Sequence, residues 1–414
     1  MSIRQKKVFF VCAVLLLIVV FSQFALAKTT ITWRMGTWWN EAAPVAVEKF
    51  EKENPDIDVT VELIPFQGWA EAAIIAAMGP QPPDVMEMVG EVGDMPLLAD
   101  KGLLEVLDPY MEKTGIDPND FFPGVWQIGQ FKGKTIAIPF RIWSGALYYN
   151  VKMFKEAGLD PDNPPKTWDE ILEYAKKMTN REEGKYGLLI PASMKTVHPI
   201  LHVLFAVIRA KGGSILNEDW TKAAIDSPEA KAGVQFWADL SLKHQVVPDG
   251  IMTYDGNDVA RLFGAGNIGM IINGVEGVGN ISETAAEDFE YRISVSPAGT
   301  EVGGCTLAIP THAQNKEAAW RFIDWFTDPE NLPELTIRTP STRSAVVHPK
   351  WATPVNKTFF ESAEISYAYP VTQIPEWKEI GDIIIQHLQQ ILLGKQSVDE
   401  SMDETARLIN ELLE

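Results

Sequence analysis

The sequence predicts an α/β protein built from two doubly wound halves. Three observations carry this. Strand-like and helix-like runs alternate from residue 30, the order that yields a mainly parallel sheet with helices on its faces. The alternation restarts beyond Lys152. No repeat, low-complexity tract or long linker separates the halves, so short segments join them and the chain crosses between them more than once.

In order, Thr30–Met35 is rich in β-formers, and a helix begins at Pro44 and stops at Asn54-Pro55, with Val47 and Phe50 on one face. Residues 58–64, "DVTVELI", alternate like a strand. Trp69–Met78 reads as a helix, and Pro82-Pro83-Asp84 delivers the chain into the strand "VMEMV". "KTIAIPF" and "GALYYN" read as strands on either side of Arg141–Ser144. In the second half Thr167 and Glu170 form a capping box ahead of a helix whose expected buried face is Ile171, Leu172, Tyr174, Ala175 and Met178. Helices follow at 198–210 and 227–244, then the strands "GMIING" and "CTLAIP" and a helix over 315–327. "TPSTRSA" reads as a polar break, and the tail from Glu376 as two amphipathic helices.

Arg4, Lys6 and Lys7, the apolar run Val8–Phe21 and Ala25-Leu26-Ala27 follow the order of a secretory signal, and the run is short for a bilayer span. Cleavage leaves an exported, extracytoplasmic protein from about Lys28; retention as an anchor is the alternative. The mature chain then holds a single cysteine, Cys305, and forms no internal disulfide. Losing three basic residues takes the net charge from −20 to −23, which disfavours nucleic acid and anionic membrane surfaces as partners. Thirteen tryptophans exceed what a core alone asks for; eight or nine fit there.

"FGAGNIGMIING" contains Gly264-x-Gly266-x-x-Gly269, the spacing of a pyrophosphate loop. Such a loop leaves a strand and enters a helix, whereas here a helical run precedes it and a strand follows. These glycines end a helix, and no cofactor is expected. There is no G-x-S-x-G elbow, H-E-x-x-H or G-x-x-x-x-G-K loop. His198 and His202, four apart on a helix, lack an obvious third metal ligand. Cys305 reads as a small core residue.

What remains are polar and aromatic residues at strand ends: Trp38-Trp39-Asn40, Glu91, Arg141 to Trp143, Glu276 and Gly303-Gly304. Ligands of open α/β sheets bind beyond the carboxyl ends of strands, so these stretches converge on one cleft. Indole faces suit pyranose C–H faces; carboxylates, amides and a guanidinium suit hydroxyls.

In this order the chain resembles the family 1 extracellular solute-binding proteins, the maltose-binding-protein type that feeds ABC importers. The resemblance rests on "FEKENPDIDVTVE", "PPDVMEM", "KGLLEVLDPY", "AIPFRIWSGALYYNVKMFKEAGL", "KTWDEILEYAKKM", "AKGGSILN", "FGAGNIGMIING", "VGGCTLAIP", "NKEAAWRFIDWF" and "LLGKQSVDESM". It implies the type II periplasmic binding fold, two lobes closing on a ligand, with crossovers near Pro139–Ser144, Thr306–Pro310 and Thr339–Ala345. It divides the chain into a signal peptide (1–27), a first lobe (28–140 and 308–338) and a second lobe (145–305 and 342–414). It implies cleft residues Trp38, Trp39, Asn40, Glu91, Arg141, Trp143, Gly304 and Arg343, with Trp377 near another such stretch. Maltose binders place a stacking tryptophan where this chain has Glu276, so a ligand with many hydroxyls or a positive group is favoured over maltodextrins. The expected function is non-enzymatic capture of a sugar, oligosaccharide or polyol by a monomer that docks on a membrane permease. Two rivals remain: an acidic sugar or polyol phosphate held by Arg141 and Arg343, and an exported carbohydrate-cleaving enzyme using Glu91 and Glu276 as paired carboxylates.

Overall fold

The computed structural model describes residues 28–414 apart from 66, 91–93, 194–196, 255, 338 and 369–373. The expected signal, 1–27, lies outside the described residues. Strands β1 (Thr29–Gly36), β2 (Ile57–Ile64) and β3 (Val85–Val89) run parallel in the order β2-β1-β3, with the helices Ala42–Glu53 and Trp69–Met78 as crossovers. Next come β4 (Ile138–Trp143), β5 (Ala146–Asn150), β6 (Met270–Asn273), β7 (Tyr291–Val295) and β8 (Glu301–Ala308). β8 lies between β3 and β4 and is antiparallel to both. The sheet is therefore mixed: a strand arriving from the other lobe enters from the opposite end.

Both faces of this first sheet are covered, which is why "VMEMV" is a nearly unbroken apolar run. Val85 and Val89 pack with Trp33, Phe322 and Phe326, while Met86 and Met88 pack with Ala73, Ala77 and Leu98 on the other side. Glu87, between them and only 1 % exposed, accepts hydrogen bonds from Gly36 N (2.9 Å) and Trp39 Nε1 (3.2 Å). The second sheet, β6-β5-β7, is antiparallel and sits in a separate core with the helices Trp168–Met178, Val197–Ala210, Pro228–Leu242, Gly256–Gly264, Trp377–Leu392 and Val398–Leu413. Eight of the thirteen tryptophans are buried, leaving Trp38, Trp126, Trp143, Trp220 and Trp325 partly exposed.

The glycine motif has the predicted order: the helix Gly256–Gly264 precedes it and β6 follows. Gly266 takes φ +87°, and a Cβ on Gly269 would lie 2.8 Å from Gly187 O, so these glycines turn the chain and let it pass close by.

Three passages join the two cores; the first falls at the end of the expected Pro139–Ser144, and the other two differ from the expected ones. The first is Ser144-Gly145, between β4 and β5; β4 runs through Arg141 to Trp143, where a break had been expected. The second is 296–300, between β7 and β8. Thr306–Pro310, expected to cross, is instead the far end of a strand paired with β3, so the division near 305 falls inside one element. The third follows the helix Pro354–Ile365, whose Phe360 and Ala363 join the first core and Phe359 the second. Thr339–Ala345 stays with the first lobe: Thr339 O accepts from Ile142 N (2.9 Å), Ser341 Oγ donates to Pro139 O (2.8 Å), and Thr342 bridges Phe121. Its polarity serves local backbone pairing rather than a hinge.

The passages are laced together. Gly145 N donates to Thr300 Oγ1 (2.8 Å), Tyr367 N to Thr300 O (3.3 Å), and Ser144 Oγ to Phe359 O (3.1 Å). Thr300 is fully buried. Thr300→Val, which keeps the shape but orphans the Gly145 N–H, is expected to cost about 1–3 kcal/mol, read from a lowered urea midpoint.

Candidate functional site

The strand ends fold for local reasons. At the end of β1, Trp38 turns back over Gly36, where a Cβ would meet the indole at 2.1 Å. Trp38 then packs on Trp69, centroids 5.1 Å apart, and Trp69 Nε1 donates to the buried Asp94 (3.2 Å). At the end of β6, Asn273 Oδ1 accepts from Gly274 N (2.8 Å), and the chain enters the helix Glu276–Thr284. Glu276 occupies its first turn, where the helix dipole favours negative charge. Tyr148 Oη donates to Gly274 O (2.5 Å), and burial, with Tyr291 and Glu276 adding to it, pushes this phenol well above its ordinary range, so it stays a neutral donor.

Trp143, the last residue of β4, meets this turn. A Cβ on Gly274 would fall 2.0 Å from Trp143 Nε1 and 2.6 Å from Glu276 Oε2, so only glycine lets the indole and the carboxylate share this space. His202, 3 % exposed, stacks on Trp143 with centroids 3.8 Å apart. Glu276 Oε2 is shut from solvent and has no hydrogen-bond partner. A buried acceptor left unpaired costs about 1–3 kcal/mol or more when charged, which a ligand donor would relieve.

The structure thus brings Trp143 and Glu276 together, with Arg141 two residues earlier on the same strand. Trp38 is partly buried and Asn40 exposed at the β1 turn. Other expected residues are committed elsewhere. Trp39, 1 % exposed, is a core residue against Phe140 and Phe326. Trp377, 3 % exposed, packs edge-on to Phe205 in the second core. Gly304 is buried with φ +153°, and its Cβ would meet Arg141 O at 2.1 Å; it serves strand packing. Arg343 pairs with Glu364 in bidentate fashion (2.8 and 3.0 Å) and donates to Asn119 O and Phe121 O (both 2.7 Å), which commits four of its five N–H groups and leaves no two-donor fork for a ligand. Glu91 lies outside the described residues. His202, Tyr148 and Trp69 were not among the expected residues: the first was weighed only as half of a metal pair, and the others only as part of a strand and the start of a helix. Among the described residues no three His, Cys, Asp or Glu side chains gather as a metal site.

The bacterial extracellular solute-binding protein family model matches residues 36–333. The chain belongs to that family. This solute-binding protein is 25 % identical over 391 residues to a putative binding protein of Brucella abortus, covering 88 % of each chain. It is 24 % identical over 399 residues to the sn-glycerol-3-phosphate-binding periplasmic protein of Rhizobium meliloti, covering 88 % of this chain and 90 % of that one. A solved ABC transporter solute-binding protein from Thermotoga lettingae, bound with α-D-tagatose, is 27 % identical and superposes with a TM-score of 0.78 over 94 % of this chain and 100 % of that chain. Among the described residues no helix is long and apolar enough to cross a membrane.

The Arg343–Glu364 pair gives a test of its structural assignment. The hydrogen bond from Arg343 holds the Glu364 carboxyl below its ordinary 4.5. A depressed folded pKa stabilises the fold above the unfolded value and loses that contribution as pH falls through the folded one. The pair is substantially exposed, so its worth is at most about 1 kcal/mol. The stability gap between the native protein and Glu364→Gln is expected to hold near neutral pH and shrink below about 4.5, measured by urea unfolding across pH.

Proposed function

We propose that this solute-binding protein captures a small, uncharged polyhydroxylated solute, a sugar or polyol, between its lobes and delivers it to the membrane subunits of an ABC importer. The observation that carries the reading is the unpartnered, buried Glu276 Oε2 beside Trp143. A ligand hydroxyl donates to the carboxylate while C–H groups lie against the indole. Trp38, Asn40 and Arg141 supply further contacts from the strand ends. Residues 1–27 direct export, and the mature monomer works outside the cytoplasmic membrane without chemical turnover.

The tagatose-bound Thermotoga relative favours a sugar, and the Rhizobium relative raises a polyol phosphate. The geometry weighs against the phosphate: Arg343 is spent on Glu364, and Glu276 adds like charge where an anion would sit. Ligand contacting both lobes favours the closed state by its differential affinity for it.

A thermal-shift and calorimetry panel of ketoses, sugar alcohols, disaccharides and glycerol 3-phosphate is expected to yield a neutral ligand that raises the melting temperature and reduces the scattering radius. Glu276→Ala and Trp143→Ala are expected to lose at least about tenfold in affinity, roughly 1.4 kcal/mol, whereas Arg343→Ala binds as the native protein does. Affinity unchanged in Glu276→Ala, or sustained release of a cleavage product, overturns the reading.

A further inference from the structure

Away from Trp143 and Glu276, a cavity of about 330 Å³ lies between elements of both cores. Gln127 comes from the first lobe; Phe205 and Arg209 come from the helix Val197–Ala210 of the second; Leu216 and Trp220 follow that helix, and Tyr367 belongs to the third passage. Its volume is at the lower end of the range for small-molecule sites, about 300–1,000 Å³. His202, which touches Trp143, is seven residues before Arg209 on that helix, a separation of about 10 Å at 1.5 Å per residue.

The cavity has a polar end with unspent capacity. Among the described residues Arg34, Arg181, Arg261, Arg292, Arg321, Arg343 and Arg407 each hold a carboxylate. Arg209 holds none, in a chain of net charge −20. Its guanidinium instead lies 4.1 Å from the centroid of the Tyr367 ring. Such stacking uses the flat face and leaves the N–H edges, a fork matched to a carboxylate. The Tyr367 hydroxyl is buried with no hydrogen-bond partner, and burial raises its pKa far beyond the usual range, so it remains a proton donor. Phe205, Leu216 and Trp220 give the cavity an apolar side, and Gln127 and Ser214 add polar groups to the rest of its wall.

We propose that this cavity is a second ligand site, taking a small organic anion with an apolar body, its carboxylate on the Arg209 fork and the Tyr367 hydroxyl and its body against Phe205 and Trp220. Lined from both lobes, it couples occupancy to their separation.

Benzoate is the probe, with benzyl alcohol as its neutral counterpart, titrated calorimetrically into the full chain. Benzoate is expected to bind saturably, to bind Glu276→Ala equally well, to weaken in high salt, and to lose at least tenfold in Arg209→Gln and severalfold in Tyr367→Phe. No saturable binding, equal binding of benzyl alcohol, or full affinity in Arg209→Gln with an unchanged melting temperature overturns the proposal. Loss of benzoate in Glu276→Ala overturns it too, since the probe would then occupy the cleft.

Discussion

The two-lobed arrangement depends on a constraint at Thr300. A chain that leaves one core, builds a second and returns must pass between them several times, and each passage exposes backbone with no ladder to join. Here the passages satisfy one another. Thr300 Oγ1 accepts the Gly145 N–H of the first passage and Thr300 O accepts the Tyr367 N–H of the third, while Ser144 reaches Phe359 O. Close approach follows from small residues: a Cβ on Gly145 would sit 2.7 Å from Thr300 Cγ2, and one on Gly299 would sit 2.4 Å from Ile365 O. Buried backbone groups are nearly always paired, and here the pairing of one passage is supplied by another. A bend at one passage therefore moves all three, which is the behaviour a hinge requires.

The candidate site inherits its position from this constraint. Trp143 is the residue immediately before the first passage, so the strand that places its indole also ends where the chain leaves the first core. Glu276 stands on the second lobe, past β6, and the two meet only because Gly274 carries no side chain. Two buried carboxylates of the first lobe are each paired twice over. Glu87 holds Gly36 and Trp39; Asp84 holds Thr32 N and Asn315 N, both at 2.9 Å. Glu276 Oε2 differs from these two carboxylates in having no donor within the protein, and the proposed function assigns that donor to a ligand.

Much of the fold was legible because its signals are local. The 3.6-residue stripe of Ala319, Phe322 and Phe326, the alternation of "DVTVELI" and the helix-then-strand order around Gly264–Gly269 each lie within one element, and each element forms where its pattern says. Long-range pairing was less legible. Nothing in "TPSTRSA" announces that Arg343 finds Glu364 and the carbonyls of residues 119 and 121, and nothing in "WWN" says which indole turns inward. Trp39 was expected in the cleft from its strand-end position and the family resemblance, and Trp377 from the resemblance, but a tryptophan beside a buried carboxylate or a phenylalanine cluster is drawn into the core by the area it removes from water. The strand Glu301–Ala308 joins the first sheet because its inner residues Val302, Cys305 and Leu307 fit that core, a fact visible only once β3 and β4 flank it.

If Glu276 binds ligand as proposed, its presence where the maltose-binding type is expected to carry a stacking indole changes the kind of selectivity the cleft has. An aromatic face grips any sugar ring with exposed C–H groups and discriminates weakly, since one methylene more or less is worth about 1–3 kcal/mol. A carboxylate fixed in a helix's first turn beside Trp143 behaves differently. A solute with a hydroxyl in the right place relieves an unpaired buried acceptor, while its deoxy analogue leaves that acceptor stranded. Sites built to hydrogen-bond a substrate group reject the analogue lacking it far more strongly than apolar pockets reject a size change. On the proposed function, the carboxylate at this one position reads the placement of a hydroxyl, and the two side chains share the space only because Gly274 leaves room for both.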